Sequence, residues 1–331
     1  MEYRHLGKTG VQVSALSLGS WVAFGDQIGD DVAAELMKTA YDAGVNFFDN
    51  AEAYAGGRSE TVMGKILKDM GWSHETFLVS SKVFWGGQHN DRPARPNEEG
   101  LSRKHVFAAC HNALRRLQVD FLDLYFCHRP DPNTPIEETT RAMSDLVTQG
   151  KVLYWGTSEW SAQEIMQAHL VARECHLVPP TVEQPQYNLF HRHRVEQEYA
   201  RLYSEYGMGT TIWSPLANGF LTGKHRKGTL ADSRAMTVGN LDWLKINLER
   251  WAKAKGGQLN ELEKIAGEIG LSLIHFSLAW CMKNPHVSTV ILGASKVSQL
   301  TENLRAIEVM DKLTPDILKR VDEFMPVNSM L

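Results

Sequence analysis

The sequence predicts a (β/α)8 barrel preceded by a short N-terminal β-hairpin. Three observations carry this expectation. Apolar runs of strand length alternate with amphipathic stretches of helix length eight times along the 331 residues, and alternating βα units imply a parallel sheet covered by helices. Three of these runs stop at an ionisable residue, which is where parallel α/β enzymes put their chemistry. The competing open, doubly wound sheet announces itself with G-x-G-x-x-G after its first strand, and no such run occurs.

The elements follow in order. Residues 3–6 and 11–16 nearly alternate in polarity around the turn signal Gly7-Lys8-Thr9-Gly10, which reads as a hairpin leading into the first barrel strand. The GKT here is no P-loop, because the position that needs the first glycine holds Glu2. A Gly/Asp loop after Trp21 leads to a helix at 30–43, with Asp30 as expected N-cap and Gly44 as stop. Further strands are expected at 45–48, 77–81, 122–127, 152–155, 181–183, 209–213 and 288–292. Helices are expected at 59–70, 103–117, 136–149, 162–174 and 193–206. A long irregular stretch to about 238 precedes two or more helices up to 284, one more opens near Lys296, and a last one begins near Thr314 before a frayed end. No linker or low-complexity segment divides the chain, so residues 1–331 are expected to form one domain.

Composition narrows the function classes. The chain is 43% hydrophobic and 22% charged with a net charge of −4 and interspersed signs, which argues against a nucleic-acid footprint or a polybasic membrane patch. No apolar run approaches the roughly 20 residues needed to span a bilayer, and the first ten residues hold no signal-peptide core. The four cysteines, Cys110, Cys127, Cys175 and Cys281, have neither zinc nor CxxC spacing, so reduced thiols and a cytoplasmic location are expected. His191-Arg192-His193-Arg194 lacks a carboxylate or cysteine at ligand spacing; a solvated basic helix start is expected there and no metal site anywhere.

The stretch VNFFDNAEAY places Asp49 at the end of the second barrel strand and Tyr54 five residues on. The third strand stops at Lys82 and the fourth at His128. Neighbouring parallel strands lie roughly 4.8 Å apart, so these four groups converge at one mouth. Singly each has a plainer role, as a cap, a half-buried aromatic, a solvated lysine or a core histidine. Together they form a proton relay: Asp49 orients the Lys82 ammonium, which is expected to lower the pKa of the Tyr54 phenol. The phenol can then protonate a carbonyl oxygen that His128 holds by a hydrogen bond. No nucleophile or metal set accompanies them, so the electrons must come from a bound cofactor. A barrel isomerase or aldolase using Lys82 as a Schiff base is a further reading. At the eighth strand end, Gly293-Ala294-Ser295-Lys296 opens a helix and suits a phosphate, and Trp213 could stack on a nicotinamide.

YRHLGKTG, FFDNAEAYA, KVFWGG, GLSRKH, RPDPNTPIEETTRAM, YWGTS, WSPLA and LGAS together resemble the aldo-keto reductase superfamily over nearly the whole chain. They are most similar to the branch of β-subunit-type reductases related to voltage-gated potassium channels. The resemblance implies an NADPH-dependent reductase of aldehydes or ketones with the tetrad Asp49, Tyr54, Lys82 and His128. It implies cofactor contacts at Trp21, Gln27, Asp49, Ser158 and Gln184, with Trp213 stacking on the ring. Ser214, Pro215, Leu216, Ala217, Asn218 and Lys224 would meet the pyrophosphate. Arg234, Gly293, Ser295, Lys296, Gln299, Glu302 and Asn303 would meet the adenosine and its 2′-phosphate. Trp21, Trp85 and Arg129 would line the substrate side, overhung by the loop from Gly86 to Gly100. It further implies a homo-oligomer, with tetramers in the resembling branch, and as an alternative function a cofactor-sensing regulatory subunit on a potassium channel or other partner. The chain departs from the branch at His128, where the animal channel subunits carry Asn, which favours an efficient reductase, as does the lack of an extension before the hairpin. Glu159 replaces an Asn or Arg, and Gln299 replaces an Arg that many members use on the 2′-phosphate.

Overall fold

The computed structural model describes residues 1–21, 23–87, 92–223 and 242–327. Strands β1 (Tyr3–His5) and β2 (Gln12–Ser14) pair antiparallel in the expected hairpin. Eight parallel strands then close a barrel: β3 (Leu16–Gly19), β4 (Phe47–Asp49), β5 (Leu78–Val83), β6 (Leu122–Cys127), β7 (Val152–Thr157), β8 (Val182–Glu183), β9 (Gly209–Ile212) and β10 (Thr289–Leu292), with β10 pairing back onto β3. This is the (β/α)8 barrel the alternation predicts.

Helices α1 (Asp30–Asp42), α2 (Arg58–Met70), α3 (Arg103–Leu117), α4 (Ile136–Thr148) and α5 (Ala162–Glu174) follow successive strands. Helices α6 (Asp242–Glu268), α7 (Leu273–Lys283), α8 (Val297–Leu304) and α9 (Pro315–Phe324) complete the described residues. Local chemistry sets their ends. Ser161 and Glu164 form a capping box at α5, and Ser102 caps α3 through the His105 N–H. The expected cap at Asp30 is corrected: Gly29 is the N-cap, and Asp30 and Asp31 lie in the first turn, where carboxylates favour the helix dipole. The helix expected over 193–206 is also different, being built of π-type turns at Arg194–Glu198 and Leu202–Tyr206.

Two apolar layers hold the barrel. Outside the strands, one continuous core packs them against the helices. Inside, Phe47, Leu78, Leu124, Phe126, Val182 and Ile291 pack with Leu6 and Val13 of the hairpin, so the hairpin plugs the N-terminal mouth. Its turn presses directly on the barrel: a Cβ on Gly7, which has φ +58°, would lie 2.3 Å from the Gly207 carbonyl oxygen. One mouth is therefore closed and polar residues gather at the other. Among the described residues, no single helix is long and apolar enough to cross a membrane.

Candidate active site

The polar mouth is built on β4, β5 and β6. The ladder pairs Asp49 with Ser80 and Lys82 with Phe126, so β5 runs past the expected end at 81 and Lys82 lies inside the strand. Its side chain is fully buried. The ammonium spends all three protons, donating to Asp49 Oδ2 at 2.7 Å, the Asn50 carbonyl at 2.8 Å and the Tyr54 hydroxyl at 2.9 Å. The other Asp49 oxygen accepts from Ser80 Oγ at 2.8 Å and Gln184 Nε2 at 3.0 Å. Tyr54 opens a tight turn in which Ala55, Gly56 and Gly57 all have positive φ. That turn folds the phenol back over the strand ends.

The electrostatics correct one expectation. Burial raises the Tyr54 pKa, and Asp49 adds to the rise; Lys82 pulls it down without overcoming them. The phenol is therefore held protonated, not poised as a phenolate. Burial opposes the Lys82 charge, yet Asp49 and Tyr54 hold its pKa above the ordinary lysine value. An ammonium with its protons committed is a poor Schiff-base nucleophile. Burial, then the charges of Lys82 and Arg129, keeps His128 well below the ordinary histidine pKa and hence neutral. Its Nδ1 is buried and makes no hydrogen bond among the described residues, and its ring centroid lies 5.8 Å from that of Tyr54.

Glu52 joins the tyrosine turn to the substrate side. Its N–H bonds the Lys82 carbonyl at 3.2 Å. One carboxylate oxygen accepts from the N–H groups of Phe84 and Gly86 at 2.8 and 3.0 Å, and lies 3.2 Å from His105 Nε2. Trp85, held between these anchors, places its ring 4.6 Å from His128. Among the described residues of the loop from Gly86 to Gly100, none lines the pocket; Trp85, just before it, does.

A cavity of about 780 Å³ extends from this mouth across the ends of β7 to β10. Its wall includes Trp21, Gln27, Asp49, Tyr54, Trp85, His128, Arg129, Ser158, Gln184, Trp213, Ser214, Pro215, Leu216, Asn218, Gly293, Ser295, Gln299, Glu302 and Asn303. Ala217 and Lys296 are not on it: Ala217 is buried beneath its loop, and Lys296 is the α8 N-cap position. Lys224 and Arg234 lie outside the described residues. Ser298 was legible from helical spacing after Ser295, whereas Ile274 reaches the wall only through tertiary packing of α7.

Hydrogen bonds pre-shape the far part of the cavity. Glu159, at φ +60°, accepts from Trp213 Nε1 at 3.0 Å and from the Gln186 N–H at 2.6 Å. Arg194 Nη1 donates to the Glu159 carbonyl at 2.7 Å. The basic run is thus not solvated as expected. Arg192 is buried and bonds Glu196, Asp322 and the Met325 carbonyl, while Arg194 joins β7 to the π-type turns. The charges have partners in the fold, which is why water is not needed. Ser214, Ala217 and Asn218 share left-handed backbone, and the Asn218 N–H bonds Ser214 Oγ at 2.9 Å. Gln299 Oε1 accepts from the Ser295 N–H at 3.1 Å and Oγ at 3.3 Å. Among the described residues, no group of three or more His, Cys, Asp or Glu side chains could hold a metal.

Comparison with known proteins agrees with this geometry. The Aldo/keto reductase family matches residues 15–326. Over 323 residues the chain is 48% identical to a "Probable voltage-gated potassium channel subunit beta" of Oryza sativa subsp. japonica, covering 97% of this chain and 96% of that protein. A protein of the same printed name from Arabidopsis thaliana is 45% identical over 324 residues, covering 98% and 96%. A match over nearly the whole length, on a barrel whose Asp, Tyr, Lys and His meet at one mouth, places the chain in the aldo/keto reductase family.

Proposed function

We propose that the chain is an NADPH-dependent oxidoreductase that reduces aldehydes or ketones to alcohols. The observation that carries this reading is the relay from Asp49 through Lys82 to the Tyr54 hydroxyl, facing a neutral His128 with an unpartnered buried Nδ1. The residues present fit a dinucleotide. The cavity is long, and its far wall offers an indole, hydroxyls and amides beside a left-handed turn. Ser158, Gln184 and Trp213 would hold the nicotinamide, the 214–218 turn with Lys224 the pyrophosphate, and Ser295, Gln299, Glu302 and Asn303 with Arg234 the adenosine end.

When bound, the reduced nicotinamide supplies a hydride to the carbonyl carbon. Tyr54 supplies the proton to the oxygen, and its raised pKa keeps that proton in place at neutral pH. Lys82 steadies the negative charge left on the phenol, and Asp49 keeps Lys82 charged and aimed. His128 holds the carbonyl oxygen. The same reading includes one barrel domain over residues 1–331, a homo-oligomer with a tetramer as its expected form, and a cytoplasmic location.

A second reading, a cofactor-sensing regulatory β subunit, is favoured by the printed names of the relatives. Co-purification with a channel would support it; rapid turnover of simple aldehydes would make it secondary. The first experiment is a titration of NADPH into the purified protein, followed by quenching of tryptophan fluorescence, with NADH in parallel and aldehyde turnover after. Binding and turnover are expected. If neither nucleotide bound, the reductase reading would fall.

A further inference from the structure

We propose that the substrate is an anionic carbonyl compound, an aldehyde carrying a carboxylate, with Arg129 as the residue that recognises the carboxylate. The inference deepens the reductase reading and rests on it. It starts from the charges around the cavity. Asp49 and Lys82 neutralise each other at 2.7 Å. Glu302, at the far end, lies 3.2 Å from His275 and 3.7 Å from Arg305. Glu159 is taken up by Trp213, Gln186 and Arg194. Arg129 lines the same cavity beside His128, and among the described residues it makes no ion pair.

The Arg129 guanidinium is half-buried and partly anchored. Its Nη1 donates to the His128 carbonyl at 2.5 Å and to Ser158 Oγ at 3.3 Å. Its carbon sits 5.2 Å from the centre of the Trp85 ring. These contacts fix the plane of the fork and leave Nε and Nη2 without a hydrogen bond among the described residues. The Glu159 and Glu183 carboxyls act on it only from beyond ion-pair distance, and Glu159 is itself paired with Arg194. A planar, oriented guanidinium without an ion pair on a cavity wall is a receptor for a carboxylate, which it can bind through two parallel hydrogen bonds. The purely structural alternative is weaker. Pinning His128 and Ser158 needs only one nitrogen, and a neutral amide could do it without the cost of desolvating a charge.

The position suits discrimination between substrates. Arg129 follows His128 in the chain and shares the wall with Trp85, so a carboxylate on the guanidinium would lie on the substrate side of the tyrosine. Reduction leaves that carboxylate untouched. The C=O π bond breaks, the carbon gains the two-electron hydride that the nicotinamide supplies, and the oxygen gains the Tyr54 proton, which solvent then replaces. A neutral aldehyde would undergo the same step without the orienting contact.

The test compares 4-carboxybenzaldehyde with its methyl ester, which is similar in shape and uncharged. With NADPH, the wild-type protein should show kcat/KM tenfold to a hundredfold higher for the carboxylate, the size of one charge-assisted hydrogen-bonded pair. Most of the difference should lie in KM. Arg129→Met should bring the ratio close to one, and Arg129→Lys should keep part of it, since the charge remains and the fork does not. Taking the ratio cancels any disturbance of His128 common to both substrates. A wild-type ratio near or below one, or a ratio unchanged in Arg129→Met, overturns the proposal while leaving the reductase reading intact. If neither aldehyde turns over although NADPH binds, the reductase reading is what has failed. The anion site is then read by calorimetric titration of benzoate into the NADPH complex. Binding at least tenfold tighter to wild type than to Arg129→Met supports it, and equal binding overturns it.

Discussion

The two halves of the cavity are built from different kinds of polar contact. On the β4–β6 side, the charged pair at the centre is buried and saturated: Lys82 is fully buried, and its three protons go to Asp49, the Asn50 carbonyl and Tyr54. On the β7–β10 side, the wall is mostly neutral. Ser158, Gln184, Ser295 and Gln299 offer hydroxyls and amides, and the one indole in their midst is fixed by a carboxylate set behind it. The first arrangement cannot adjust, because an uncompensated buried charge costs several kcal/mol. The second can exchange one partner for another at little cost. Chemistry that moves a proton belongs on the rigid side, and holding a large polar ligand belongs on the adaptable one.

The largest expected effect tests the rigid side. Tyr54→Phe removes the proposed proton donor and should lower kcat by about 10²–10⁴, the usual contribution of a general acid, with NADPH binding retained. Stopped-flow turnover alongside the fluorescence titration checks both. The pH dependence follows from the raised Tyr54 pKa. Reduction needs the protonated phenol, so its rate should stay level through neutral pH and fall only as pH rises through that raised value. Alcohol oxidation needs the phenolate and should climb over the same alkaline range. Near-wild-type turnover in Tyr54→Phe would sink the assignment of the acid.

Next in size is the cost of breaking the buried pair. Lys82→Met leaves Asp49 ionised and without its ammonium, which should destabilise the fold by about 3–5 kcal/mol. The double variant Asp49→Asn, Lys82→Met removes both charges and should regain most of that loss while remaining inactive. Denaturant melts of the two proteins separate the stability effect from the catalytic one. If the single variant were as stable as wild type, the contrast between the two sides of the cavity would lose its basis.

These contrasts were unequally legible in the sequence. The barrel was readable because eight strand–helix alternations are a local signal; β6, α3 and α5 have the bounds that their apolar patterns predict. The convergence of Asp49, Lys82 and His128 at one mouth was readable too, since the strands that carry them are neighbours in the barrel. The end of β5 was not, because its apolar run stops before a lysine that the ladder carries inward to Asp49. The direction of the Tyr54 shift failed for a related reason: a charge partner can be guessed from strand order, whereas burial depends on everything packed around it. The role of Glu159 was hidden because its indole partner lies 54 residues away.

The adaptable side offers a smaller effect at the end proposed for the adenosine. Gln299 currently gives its carbonyl oxygen to the Ser295 N–H and hydroxyl. Gln299→Arg would release both donors and add a fork for a 2′-phosphate. The ratio of NADH to NADPH dissociation constants should rise about tenfold, since one charge-assisted contact is worth about 1.5–3 kcal/mol and Glu302 nearby offsets part of it. An unchanged ratio would mean that the 2′-phosphate is not read at this position.

The smallest effect concerns Trp213. Its Nε1 donates to Glu159, whose position is fixed in turn by the Gln186 N–H and by Arg194. The indole can therefore stack on a ring only in the plane that Glu159 allows. Glu159→Leu removes the acceptor and leaves three donors, on Trp213, Gln186 and Arg194, to find water or other partners at the cavity wall, a loss of about 1 kcal/mol. NADPH should bind about fivefold more weakly, and the fluorescence anisotropy of Trp213, read in a variant keeping that tryptophan as reporter, should fall in the free protein. Glu159→Gln keeps an acceptor oxygen and should restore most of the affinity. Loss of affinity in both variants would point to the negative charge itself, balanced against Arg194, and not to the hydrogen bond that orients the ring.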